Sequence, residues 1–332
     1  MKKIVLLLTL LTFFQQNLTM AAQTTLKTPA AWVWRVSSEN RHLYLVGELH
    51  VFVGLDESQV SFELGDRIFS GTSIAYTEAN ELKISPVPVL KTLSELLGPH
   101  IWQRVQVKMK AVVNQTNISD EKKEGILEDL LKEMNDQSPI IADATLRNFS
   151  TLMYVKELIE KKETKKIVFG LSSRLKKSNT NGSKNAKLAP IESDFLIDEV
   201  WRRSCDSREK AQQLIVEALN AFEFDTFWRT NKVAELQNLF RDSYFSVDSG
   251  KAFMDYWLTN YPASEIFMTC NILPRNILWE EKIINILKTK GEPVSVFVGI
   301  AHLIGEHGLI SSLQKNSSYK IERVYSFQDA SK

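Results

Sequence analysis

Residues 294–308 read VSVFVGIAHLIGEHG. A short apolar run, Val294 to Val298, ends at Gly299, and His302 follows three residues later, ahead of a Gly-containing turn. The same order occurs near the other end of the chain. Leu43-Tyr44-Leu45-Val46 runs into Gly47, and His50 comes three residues on. The chain therefore carries two copies of a strand followed by Gly-x-x-His: Gly47-Glu48-Leu49-His50 and Gly299-Ile300-Ala301-His302. A Gly at a strand end permits a sharp turn or a close approach to a ligand. Each His is expected just past the end of a buried strand, where open α/β sheets bind ligands. Two of the chain's five His stand in these matched contexts, which favours a functional pair over two separate structural His.

This pattern resembles the TraB/GumN family, which includes the Tiki proteins. That family has two Gly-x-x-His motifs about a domain apart, an acidic residue after an intervening strand, and an Arg-Asn pair upstream of the second motif. The resemblance places the acidic residue at Glu78, in Ser73-Ile74-Ala75-Tyr76-Thr77-Glu78, and the pair at Arg275-Asn276. The ending His302-Leu303-Ile304-Gly305, then Gly308-Leu309, is similar to the family's ending. The resemblance covers most of the chain after residue 30 and is weakest between about 110 and 270. One departure is Glu48, where the family usually has a small hydroxylic residue.

Two His and a carboxylate form a known catalytic metal set that leaves a position open for water. Neutral imidazole takes Zn, Mn or Co readily, so His50, Glu78 and His302 are the expected ligands of a divalent metal. Glu78 ends an apolar strand, where an unpaired carboxylate is costly; it needs a metal, an Arg or hydrogen-bond donors. Glu48 lies two residues before His50 and on the same side of an extended segment, where it is a ligand, a general base or a solvated loop acid. Arg275 falls in the first turn of an expected helix, where a cation opposes the dipole. That position suits an anion or developing oxyanion opposite it, with a surface Arg as the bland alternative. Glu306 and His307 are turn residues that could back the second motif; His42 and His100 read as structural.

The 332 residues, 44% apolar with mixed charge, indicate a globular chain. Lys2 and Lys3, an apolar stretch from Ile4 to Phe14 and Thr19-Met20-Ala21-Ala22 have the order of a secretory signal peptide. Cleavage is expected after Ala21, with an uncleaved anchor as the alternative. It would remove two Lys and no acid, taking the formal net charge from +1 to −1. Such a balance gives no reason to expect nucleic acid as a partner, and no later segment is long enough to cross a membrane. An exported, periplasmic or secreted protein follows. There Cys205 and Cys270 are either one disulfide or two buried thiols.

The fold expected is α/β (α+β): one domain over 22–332, with a central mixed sheet built from the N- and C-terminal strands. A large helical insertion over about 90–270 would cap the site. Trp32–Val36 and Leu43–Val46 read as a hairpin, Asp56–Phe69 as a helix and Ser73–Thr77 as a strand. Pro86 and Pro88 mark a loop. Thr92-x-x-Glu95 has capping-box spacing and opens a helix to about Val113. Another helix should start at Asp120, and one should run from about Asp143 to Lys162. Lys166–Gly170 is a strand candidate and Lys176–Lys187 a flexible loop. Asp194–Arg203, Asp206–Phe222, Lys232–Arg241 and Ser249–Asn260 read as helices. A further one starts at Pro274, and Val294–Val298 and Tyr319–Val324 close the sheet.

The activity implied is that of a metal-dependent hydrolase, a peptidase acting on peptide or protein termini through a metal-activated water. The alternative is a non-catalytic protein that sequesters a peptide signal, as in the pheromone-shutdown members of the family. No H-E-x-x-H, G-x-S-x-G or P-loop pattern is present to suggest another chemistry.

Overall fold

The computed structural model describes residues 27–39, 41–53, 55–78, 91–147, 149–162, 167–180, 186–193, 196–221, 232–244, 255, 265–289 and 291–325. The stretch 1–21 expected as a signal peptide and the loop expected at Pro86 and Pro88 lie outside them, as does Ser249–Asn260 apart from Asp255.

The strands are β1 (Thr28–Pro29), β2 (Ala31–Ser38), β3 (Arg41–Glu48), β4 (Val51–Val53), β5 (Val60–Ser61), β6 (Ile74–Thr77), β7 (Ile167–Phe169), β8 (Lys187–Pro190), β9 (Val294–Gly299) and β10 (Lys320–Val324). Six of them form the main sheet in the order β10-β2-β3-β9-β6-β8. The β2–β3 hairpin is antiparallel, and so is the β10–β2 pair at the edge. From β3 onward every pairing is parallel: β3 with β9, β9 with β6, β6 with β8. The two ends of the chain thus meet at β3 and β9, in a register that sets Gly47 opposite Val298 and Glu48 opposite Gly299.

Alternation along the strands divides the core. Trp32, Trp34, Val36, Leu43, Leu45, Val294, Val296 and Val298 face one side, against Trp279, Ile283, Ile286 and Leu287. Ala31, Val33, Tyr44, Val46, Ala75 and Phe297 face the other, against Ile68, Phe69, Val168, Leu171 and Leu175. A parallel strand covered on both faces must be apolar throughout, and every residue of β9 is buried. Its one polar residue, Ser295, meets Thr72 Oγ1 at 3.0 Å.

The helices are α1 (Glu63–Ser70), α2 (Leu93–Gln115), α3 (Asp120–Asn135), α4 (Pro139–Arg147), α5 (Phe149–Glu160), α6 (Leu171–Thr180), α7 (Leu196–Ser204), α8 (Arg208–Ala221), α9 (Lys232–Tyr244), α10 (Leu273–Thr289), α11 (Ile300–Leu303) and α12 (Leu309–Gln314). α2–α5 and α8 have their own core, which includes Leu97, Met109, Met134, Leu146, Met153 and Ile215. The Thr92–Glu95 capping box is formed: the Thr92 side chain accepts from Glu95 N–H, and Glu95 Oε2 accepts from Thr92 N–H at 2.8 Å. Cys205 and Cys270 are joined in a disulfide that closes 65 residues and ties the end of α7 to the segment before α10.

Several expectations are corrected. The helix expected over Asp56–Phe69 begins only at Glu63, because Val60-Ser61 pairs with β1. α2 kinks at Gly98, whose φ of +76° only Gly adopts readily, ahead of Pro99. The helix expected from about Asp143 starts earlier, at Pro139, and is described as α4 and α5 on either side of residue 148, which lies outside the described residues. Residues 176–180 of the expected loop are the end of α6, and Lys187 opens β8, an unexpected sixth strand; 181–185 lie outside the described residues. The strand expected at Lys166–Gly170 exists but pairs with β4 in a separate ribbon. The insertion is therefore not one block: midway through it β8 joins the main sheet, and β7 and α6 pack against one face of that sheet. Pro274 does lie in the first turn of a helix, α10, which starts at Leu273, but that helix is not a fresh start. The described residues are already helical at Glu265–Phe267 and widen to a π-helix over Met268–Ile272 before α10. Pro274 has no N–H to give to a regular turn, and the widened turn lies just upstream of it. Among the described residues no helix is long and apolar enough to cross a membrane.

Candidate functional site

Four adjacent parallel strands, β3, β9, β6 and β8, point the same way. Each is followed by polar residues at its C-terminal edge: Glu48 and His50, His302, Glu78, and Glu192. This is the edge at which open α/β sheets take ligands. The two motif glycines allow the backbones to close there. A Cβ on Gly299 would lie 3.0 Å from His50 Nε2 and 3.4 Å from Glu78 Oε1, and one on Gly47 would strike Ile300 Cδ1 at 2.5 Å.

His50 sits at the mouth, with 59% of its side chain exposed. Its Nδ1 lies 3.3 Å from Glu48 Oε1, and its Nε2 3.8 Å from Glu78 Oε1. Glu48 is buried, and its other oxygen accepts from Ser172 N–H at 2.9 Å, in the first turn of α6. Glu78 Oε1 accepts from Gly299 N–H at 2.6 Å, and Oε2 from Arg275 Nη2 at 3.1 Å.

His302 is buried. Asn276 Nδ2 donates to the backbone oxygens of His302 and His307 at 3.3 and 2.9 Å, which turns its Oδ1 toward the ring. That oxygen lies 2.8 Å from His302 Nδ1. His302 therefore carries its proton on Nδ1, and Nε2 accepts from Arg275 Nη1 at 3.2 Å. Trp279 packs against the ring, 4.4 Å between centroids.

Arg275 is 4% exposed and bonds to three members of the site, Glu78, His302 and Glu192. Its Nε and Nη2 donate to Glu192 at 3.0 and 2.7 Å, and Glu192 also accepts from Trp279 Nε1 at 2.9 Å. The helix dipole does not govern Arg275, as the sequence suggested; its partners are these side chains.

The electrostatics follow from this packing. Burial pushes His302 down, the Arg275 charge pushes it further, and its pKa falls from 6.5 to about 3. It is neutral at physiological pH. Burial pushes Glu78 up, but Arg275, His50, His302 and the Gly299 N–H outweigh it and hold the pKa at about 2. His50 moves from 6.5 to about 9: partial desolvation lowers it, while the Glu48 hydrogen bond and the Glu78 charge raise it more. Solvent at so open a ring screens the carboxylates' pull, which tempers the size of that shift and leaves its direction. Desolvation also opposes the Arg275 charge, but Glu192 and Glu78 raise its pKa and keep it a cation.

All five residues singled out from the sequence, Glu48, His50, Glu78, Arg275 and His302, converge. Glu192 was missed, although it stands just past the short strand Lys187–Pro190 as Glu78 stands past β6. The donors suit a divalent ion chemically: each imidazole has Nδ1 facing an oxygen and Nε2 facing inward, the arrangement that orients ligating His. Yet among the described residues no three His, Cys, Asp or Glu already surround one point as a metal cage would. The guanidinium of Arg275 stands between Glu78 and His302 instead. No family model, curated protein or solved structure matches this chain.

Proposed function

We propose that the chain is an exported, metal-dependent hydrolase of the TraB/GumN type, a peptidase acting on a peptide or the exposed end of a protein. The observation that carries the reading is the pair of imidazoles, delivered from β3 and β9, whose Nε2 atoms face the Glu78 side of the site. His50, Glu78 and His302 would hold the ion. Manganese, cobalt or zinc there would supply Lewis acidity and an activated water. Glu48 orients His50 through Nδ1. That assignment replaces the general-base role expected from the sequence, because both oxygens of Glu48 already have partners. Arg275 supplies the fixed positive charge that a developing oxyanion needs. Export is supported by the order of the N-terminal residues and by the Cys205–Cys270 disulfide, since such bonds persist in oxidising compartments.

Metal content and peptide-cleavage rate, measured together on the full chain, test the reading. His302→Ala should lose both. Arg275→Gln should keep metal and lose turnover by about 10²–10³-fold. Full metal and full cleavage in His302→Ala would overturn the mechanism. Metal-loaded wild type that binds peptides and cuts none would favour the sequestering alternative.

A further inference from the structure

Arg275 makes two kinds of bond. Those to Glu192 are shorter, 2.7 and 3.0 Å, and are reinforced by stacking on Trp279 at 4.7 Å and by the Trp279–Glu192 hydrogen bond. Those to the site are longer: 3.1 Å to Glu78 and 3.2 Å to His302 Nε2. The second of these uses the lone pair through which His302 would ligate, because Asn276 fixes the proton on the other nitrogen. One guanidinium therefore engages two of the three prospective ligands.

We propose that Arg275 is an internal stand-in cation: it holds Glu78 and His302 while no metal is bound, and a divalent ion must displace it from both. This rests on the metal-site reading above. The Glu192 fork is the pivot. It retains Arg275 by Nε and Nη2 while the contacts to Glu78 and His302 are given up, so the displaced cation stays beside the site. Without such a stand-in, Glu78 would be left beside a neutral imidazole with only the Gly299 N–H and His50 for company. The same charge that stabilises Glu78 and His302 thus weakens their hold on metal.

The test is calorimetric titration of Mn²⁺, Co²⁺ and Zn²⁺ into chelator-stripped full-length protein, with no activity measurement required. Arg275→Gln alone would leave Glu192 buried and unpaired, and it would also make the site more negative. The decisive variant is therefore Arg275→Gln with Glu192→Gln, which removes one charge of each sign and leaves an acceptor for Trp279 Nε1. Circular dichroism and a thermal melt confirm that it is folded. If it does not fold, Arg275→Lys, which keeps the charge but loses the Nη1 contact to His302, is titrated instead. Either variant should bind at least one of the ions about tenfold more tightly or better, the equivalent of one charge-assisted hydrogen bond no longer broken. Wild type binding as tightly as the variant, or more tightly, would overturn the stand-in role and leave the metal site standing. Absence of binding in both proteins would overturn the metal-site reading and this inference with it.

Discussion

His50 and His302 reach the site by the same ring nitrogen but in opposite charge states. His50 should titrate well above 6.5, toward about 9, whereas His302 should stay neutral down to about 3. Histidine nitrogen shifts followed by NMR against pH would show the His50 ring titrating at alkaline pH, toward about 9, and the His302 ring still throughout that range; both moving near 6.5 would contradict the described contacts. The sign fixes the linkage. The raised His50 contributes stability that is whole below 6.5 and lost as pH climbs through about 9. The depressed Glu78 contributes stability that is whole above 4.5 and lost as pH falls through about 2. Metal must compete with the His50 proton, so affinity should rise with pH across that upper window. Glu48→Gln should lower the His50 midpoint and weaken metal binding about 10–100-fold, as loss of an orienting partner does; an unchanged midpoint would remove Glu48 from that role. The matched Gly-x-x-His pairs made both His legible in the sequence, and the family resemblance picked out Glu78 at the end of an apolar strand. Glu192 was not, because Lys187-Leu188-Ala189-Pro190 follows a polar stretch and lacks the apolar run that marks a buried strand.

At the scale of elements, the segment Glu265–Thr289 connects the helical region to the sheet. Its π-helical turn carries Cys270, and α10 carries Arg275, Asn276 and Trp279 on its buried side. The disulfide from α7 anchors that segment. Replacing both Cys205 and Cys270 by Ser should cost up to about 4 kcal/mol, the chain-entropy value for a closed loop of ~65 residues. Urea unfolding of the two proteins measures it, and equal midpoints would show that the bond constrains little. The Thr92 capping box is a smaller test: Thr92→Ala should lower stability by about 1 kcal/mol. Sequence periodicity found the existence of most helices because their buried faces repeat at helical spacing. It missed the helical turns over Glu265–Ile272, since Pro274 reads as a beginning when a widened turn upstream can accommodate it. It also missed the kink in α2 at Gly98, where the apolar spacing runs on across a non-helical residue.

At the scale of the whole molecule, the site exists because the chain's ends pair. β3 and β9 lie side by side although about 250 residues separate them, and the middle of the chain returns to add β8 and Glu192. Both ends carry the same strand grammar, which made the pairing legible; the return of the middle depends on a four-residue edge strand that no pattern announced. The metal site proposed here is tested most directly by metal stoichiometry. Chelator-stripped full-length protein is saturated with Mn²⁺, Co²⁺ or Zn²⁺, desalted and analysed beside His50→Ala and His302→Ala. The expected result is about one ion per chain in the wild type and almost none in either variant, since three protein ligands define such a site. No retained metal in the wild type, or equal metal in all three proteins, would contradict it.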